Sequence, residues 1–186
     1  MPSHVALLRG INVGGRNKVA MADLRQVVAS LGHGEVATYI QSGNVVFTSD
    51  QTDTAAIAGE LGRALEERLG VRSSVVVLSR AELAQVVADN PFPEEANPRL
   101  LHAIFRGAGV DAAEAVAAAE RRTRDKGGRD QAKVVGRTVY LRTPDGLGRS
   151  ELAAQLARSH ADAQDRGGTA RNWATVTRLL AMLDAT

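Results

Sequence analysis

Cysteine is absent from this chain. That excludes disulfides, thiolate metal sites and cysteine nucleophiles, and it makes the cytoplasm the default expectation. Aromatic residues are scarce, at 3% of 186 residues, which argues against single-strand nucleic-acid binding by base stacking. No apolar run approaches the ~20 residues of a membrane-spanning helix. The N-terminal MPSHVALLRG has neither the charged lead-in nor the small-residue cleavage site of a signal peptide. Lysine is rare beside arginine, and the net charge is only +2, so any electrostatic partner must be sought in local charge clusters.

What is present is ordinary for a globular protein: 44% apolar and 24% charged residues. A chain of this length buries roughly two thirds of its unfolded surface and needs no staples. Apolar periodicity organises it. The spacing predicts a strand over 4–9, a helix over 21–31 stopped by Gly32, and strands over 36–40 and 45–48 joined by a tight Ser42-Gly43 turn. A helix over 54–69 stopped by Gly70 and a strand over 74–78 follow. The order β-α-β-β-α-β is a split βαβ, or ferredoxin-like, arrangement covering residues 1–79.

A short helix over 80–90 and the breakers Asn90-Pro91-Phe92-Pro93 and Asn97-Pro98 mark the boundary to a smaller α+β subdomain, 80–186. There the pattern predicts a strand over 101–106, a helix over 112–124, and a hairpin over 132–142 turning at Gly136-Arg137. Helices over 149–160 and 172–183 complete it. This half echoes the first but shows no closing strand.

In the predicted topology the loop after the first strand and the turn between the second and third lie at one end of the sheet. The loop LLRGINVGGRNKVAM carries Arg9, Asn12, Gly14, Gly15, Arg16, Asn17 and Lys18, with no acid before Asp23. The turn carries Gln41, Ser42, Gly43 and Asn44. Glycines admit positive φ and close approach of a ligand, consecutive amides can cradle an anion, and the cations and side-chain amides add charge and direction. These residues are the candidate ligand site. Hairpin geometry alone also explains Ser42-Gly43, and a structural loop explains the other glycines.

Two further segments join the candidates. Arg149-Ser150 precedes a helix, where free N–H groups favour anions, although Ser150 also suits a cap. Arg171-Asn172-Trp173 opens the last helix with the chain's one tryptophan, a residue that also suits core packing. Eight basic residues between Arg121 and Arg142 face only Asp125 and Asp130, a surplus that suits phosphates or a merely solvated face.

Several chemistries fail. Gly10 and Gly15 have the spacing of a triphosphate-binding loop, but Arg16 and Asn17 replace its lysine and hydroxyl. The dinucleotide-binding glycine pattern is absent. His4, His33, His102 and His160 lack metal-ligand spacing, so no metal and no cofactor is expected, and no nucleophile–base pair is legible.

The segments LLRGINVGGRNKVAM, YIQSGNVVF, NPFP, VYLRTPDGLGRSEL and TARNWATVTRLL resemble, in that order, the motifs of a bacterial family labelled domain of unknown function 1697. The resemblance covers almost the whole chain. It implies an α+β protein of two small subdomains, the first ferredoxin-like. It marks Arg9 to Gly15, Gln41 to Asn44, Arg149-Ser150 and Arg171 to Trp173 as signature positions, and it carries no catalytic role. Family members often have lysine where this chain has Glu151 and an aromatic where it has Leu147, which weighs against a basic site beside Arg149.

The leading expectation is binding of a phosphate-bearing or anionic ligand, a nucleotide-like molecule or a nucleic-acid backbone, by the loop at Arg9 to Lys18. Two alternatives stay open: an enzyme for a phosphorylated or carboxylated metabolite, sited between the two subdomains, and a protein-interaction module with a structural glycine loop.

Overall fold

The computed structural model describes residues 1, 3–15, 17–106, 113–158 and 168–185. Two compact units emerge: Met1–Gln85 with Thr177–Thr186, and Val86–Val176.

The first unit begins with β1 (His4–Leu8), α1 (Met21–Ser30), β2 (Gly34–Tyr39) and β3 (Asn44–Thr48). It continues with α2 (Thr54–Leu69), β4 (Val75–Ser79) and the start of α3 (Arg80–Ala88). The sheet order is β2-β3-β1-β4, every neighbour antiparallel. This is the ferredoxin-like order that the sequence predicts. Alternation along the strands puts Ala6, Leu8, Val45, Phe47 and Val77 on one face, where Leu24, Val27 and Val28 of α1 and Ile57, Leu61 and Leu65 of α2 cover them. The helix limits have local causes. Asp53 caps α2 by accepting from the Ala55 and Ala56 amides at 3.0 Å. Gly70, at φ 65, stops it in the left-handed conformation that a side chain resists.

The second unit repeats the plan. β5 (Leu101–Phe105), α4 (Ala113–Asp125), β6 (Gln131–Val135) and β7 (Thr138–Arg142) are followed by a 3₁₀ turn (Leu147–Arg149) and α5 (Glu151–Arg158). Then come β8 (Thr169–Asn172) and α6 (Trp173–Asp184), whose residues from Thr177 on belong to the first unit. The order β6-β7-β5-β8 matches the first sheet position for position. Val116, Ala119, Leu152 and Leu156 pack on Ala132, Val139 and Leu141.

The closing strand β8 is the main departure from the sequence reading, which began the last helix at these residues. Thr169-Ala170-Arg171-Asn172 has no apolar alternation of its own. It becomes a strand because β5 presents an open edge, pairing Phe105 with Thr169 and His102 with Asn172. Residues 112 and 159–160, at the ends of two expected helices, lie outside the described residues.

A second departure is local. Ile40 is not part of β2: Tyr39 pairs with Asn44, leaving a four-residue turn, 40–43, in place of the expected tight turn. Both Ile40 (φ 50) and Gly43 (φ 76) are left-handed there.

Candidate functional site

Because β1 and β2 both run antiparallel to β3, which lies between them, the loop after β1 and the turn after β2 emerge at one sheet end. The hydrogen bonds between them are direct. The Leu8 amide donates to the Gly43 carbonyl at 2.8 Å, and Asn12 Nδ2 donates to the Gln41 carbonyl at 3.0 Å.

Among the described residues, Ile11 fills the space beneath this junction. Ile11, 1% exposed, turns into the core with Val19. It lies so close to Gly43 that a Cβ there would stand 2.9 Å from Ile11 Cδ1 and 2.7 Å from Leu8 Cβ. Gly43 is therefore required twice over, by its φ and by the lack of room.

The side-chain amides point to the protein itself. Asn12 accepts from the Val19 amide and donates to the Val19 carbonyl, both at 2.9 Å, besides its bond to Gln41. Asn17 Nδ2 donates to the Gly10 carbonyl at 3.3 Å, and the Asn12 amide donates to the Asn17 carbonyl at 3.0 Å. Asn44, fully buried, donates to the Tyr39 carbonyl at 3.1 Å. The loop is thus a small closed hairpin. Gly14 (φ 58) and Gly15 (φ 75) at its tip both hold the positive φ that glycine accepts.

What faces solvent is different in character. Gly10, Val13, Gly14, Gly15, Asn17, Lys18, Gln41 and Ser42 are exposed, and Arg9 is partly so. The Arg9 main chain is fixed by Ser73, whose Oγ donates to the Arg9 carbonyl at 2.8 Å. Among the described residues no carboxylate pairs with the Arg9 or Lys18 side chain. Arg16 lies outside the described residues.

The basic run of the second unit behaves oppositely. Arg124 pairs with Glu120 at 3.3 Å, Lys126 with Glu151 at 2.7 Å, Arg142 with Glu95 at 2.8 Å, and Arg129 with Asp145. Lys133 Nζ sits 5.2 Å from the Phe92 ring centroid. Folding brings in carboxylates from 95, 120, 145 and 151, so the surplus counted along the chain is largely offset in space.

The other candidates also lie in the second unit. Ser150 donates to Asp130 Oδ2 at 2.8 Å and caps α5 by accepting from the Ala153 amide at 2.9 Å, so a carboxylate of the chain already stands at that helix start. Arg149 beside it is exposed. Arg171, 8% exposed, donates to Thr169 Oγ1 at 2.7 Å and to the Ala170 carbonyl at 2.9 Å. Burial lowers its guanidinium pKa to about 10. Asn172 accepts from the Thr175 amide at 2.8 Å, capping α6. The Trp173 ring lies 6.1 Å from that of Tyr140, whose hydroxyl donates to the Val86 carbonyl at 2.7 Å. Burial pushes the Tyr140 phenol up to about 12.

At the opposite end of the first sheet, His4 and His33 flank Phe47, with ring centroids 5.7 and 4.8 Å from it. Both are buried. Burial lowers both pKa values, and the charge of His33 lowers that of His4 further. Neither Val13 nor Ile40, both exposed, carries a sequence signal: each is an ordinary β-branched residue until the backbone exposes it.

Two ferredoxin-like β-α-β-β-α-β halves with a locked, cation-bearing hairpin on the first define an α+β protein. No described helix is long and apolar enough to cross a membrane, and no group of three or more described histidine or carboxylate side chains is placed to hold a metal ion. Residues 1–140 match the family described as "Protein of unknown function (DUF1697)", and the chain belongs to that family. It is also similar to a solved structure titled "The structure of conserved bacterial protein SP0830 from Streptococcus pneumoniae". The identity is 25% and the TM-score 0.70, over 98% of each chain. No curated protein matches the sequence.

Proposed function

We propose that the protein binds a phosphate-bearing polymer, the backbone of a nucleic acid, on the outer surface of the hairpin at Arg9 to Lys18. The observation that carries this reading is the contrast in ion pairing. Arg9 and Lys18 have no carboxylate partner among the described residues, whereas Arg124, Lys126, Arg129 and Arg142 of the 121–142 run are each paired with one. The exposed tip glycines let a phosphate approach the backbone closely. An enclosed nucleotide fits less well, because Ile11 fills the space under the turn. Gly14, Gly15, Gln41 and Ser42 border the same surface.

Fluorescence anisotropy with a labelled oligonucleotide, titrated across salt concentrations, tests the proposal. Affinity is expected to fall steeply with salt, and Arg9→Ala/Lys18→Ala to reduce the log–log salt slope by roughly two, about one per cation removed. Salt-independent affinity, or a variant indistinguishable from the wild type, would refute it.

A further inference from the structure

The cations account for attraction to phosphate but leave two apolar side chains of the same loop and the adjoining turn unexplained. Val13 is 66% exposed and Ile40 51%, and their segments are tied together by the Asn12–Gln41 hydrogen bond. Ile40 holds φ 50, a left-handed conformation that a β-branched residue adopts only under strain. Asparagine or glycine would sit there without that strain, and a side chain this exposed contributes little to the core. The fold therefore gives no reason for isoleucine at this position. Both residues are also stiff at χ1, so little freedom is lost when they are buried against a partner.

We infer that Val13 and Ile40 form a wedge that enters between base pairs of a duplex while Arg9 and Lys18 hold its backbone. This rests on the nucleic-acid reading above and names duplex as the form bound. The size of the patch argues for it over a protein partner. Two isolated aliphatic side chains on turn tips are far short of the roughly 800 Å² per partner of a standard protein interface. One or two apolar side chains suffice to unstack a base step. The loop that carries Val13 also carries Arg9 and Lys18 and, from Gly10 to Ala22, no acid, as a duplex requires. The scarcity of aromatics excludes a stacking platform but not an aliphatic wedge.

The test uses the full chain and a duplex of about 20 base pairs carrying 2-aminopurine at a flexible central step, where fluorescence rises on unstacking. The wild type should raise that signal severalfold on binding. Val13→Ser/Ile40→Asn should bind about tenfold more weakly and lose the rise, with the salt slope unchanged, because the phosphate contacts remain. Ile40→Asn relieves the strained φ, so its melting temperature should not fall, and lost binding then cannot be assigned to unfolding. Salt-dependent binding with no fluorescence rise, equal in both proteins, would overturn the wedge and leave the backbone reading standing. No binding of duplex by the wild type would overturn both. Unchanged duplex binding together with release of a co-purifying acidic protein by the double variant would assign the patch to a protein contact and overturn the wedge.

Discussion

Replacing Gly43 by alanine asks whether the two bends are truly welded by packing. The added methyl would stand 2.7 Å from Leu8 Cβ and 2.9 Å from Ile11 Cδ1, at a residue with φ 76. Leu8 Cβ is attached to a strand hydrogen-bonded on both sides, so it cannot swing away. The left-handed backbone costs a side chain about 1–2 kcal/mol, and forcing a methyl into a filled core about 1–3 kcal/mol more. The sum, roughly 2–5 kcal/mol, is a large fraction of the ~5–15 kcal/mol that holds a domain folded. At roughly 2–4 °C per kcal/mol for a chain of this size, the expected fall in Tm is about 5–20 °C. Gly14→Ala is the matched control. It also has positive φ, but its Cβ would meet nothing within 4 Å, so only the backbone cost of about 1–2 kcal/mol remains. Circular-dichroism melts of both variants separate the two contributions. Equal losses for Gly43→Ala and Gly14→Ala would refute the claim that Ile11 and Leu8 fill the space beneath the turn.

Two further outcomes are expected. Asn12→Ala removes three hydrogen bonds to Val19 and Gln41; at about 0.5–1.5 kcal/mol each, urea denaturation should show a loss of roughly 2–4 kcal/mol, and a loss below about 0.5 kcal/mol would show the loop to be held by other means. His4 and His33 have folded-state pKa values below the ordinary 6.5, so below that pH the unfolded chain takes up protons before the folded one does. Stability should therefore be complete above about pH 7 and fall as the pH drops through 6.5 toward the folded values. Glu60 and Glu82 moderate the effect by favouring the charged rings. A urea midpoint that is flat from pH 7 to 5, or unaltered in slope by His33→Gln, would contradict it.

The first half of the fold was legible because each element carries its own periodic apolar face and its own stop. Thr54–Leu69 runs from the Asp53 cap to Gly70, and neither signal depends on the rest of the chain. The meeting of the two bends was legible too, since chain order and strand direction alone place them at one sheet end. The bonding of the Asn12, Asn17 and Asn44 amides to the chain's own backbone was not, because an amide that binds a ligand and an amide that binds its own backbone look identical along a sequence. Nor was the left-handed Ile40, whose residue type favours the strand it leaves.

By itself the sequence determined the class of fold, the absence of thiol chemistry, and which residues gather at the sheet end: all follow from residue type and local spacing. Only the tertiary structure decided that Thr169–Asn172 is a strand, that four of the 121–142 cations meet carboxylates, and that Ile11 fills the space beneath the loop. Each of these depends on a group distant in sequence, an open strand edge, a carboxylate or a neighbouring turn, and long-range partners leave no local periodicity to read.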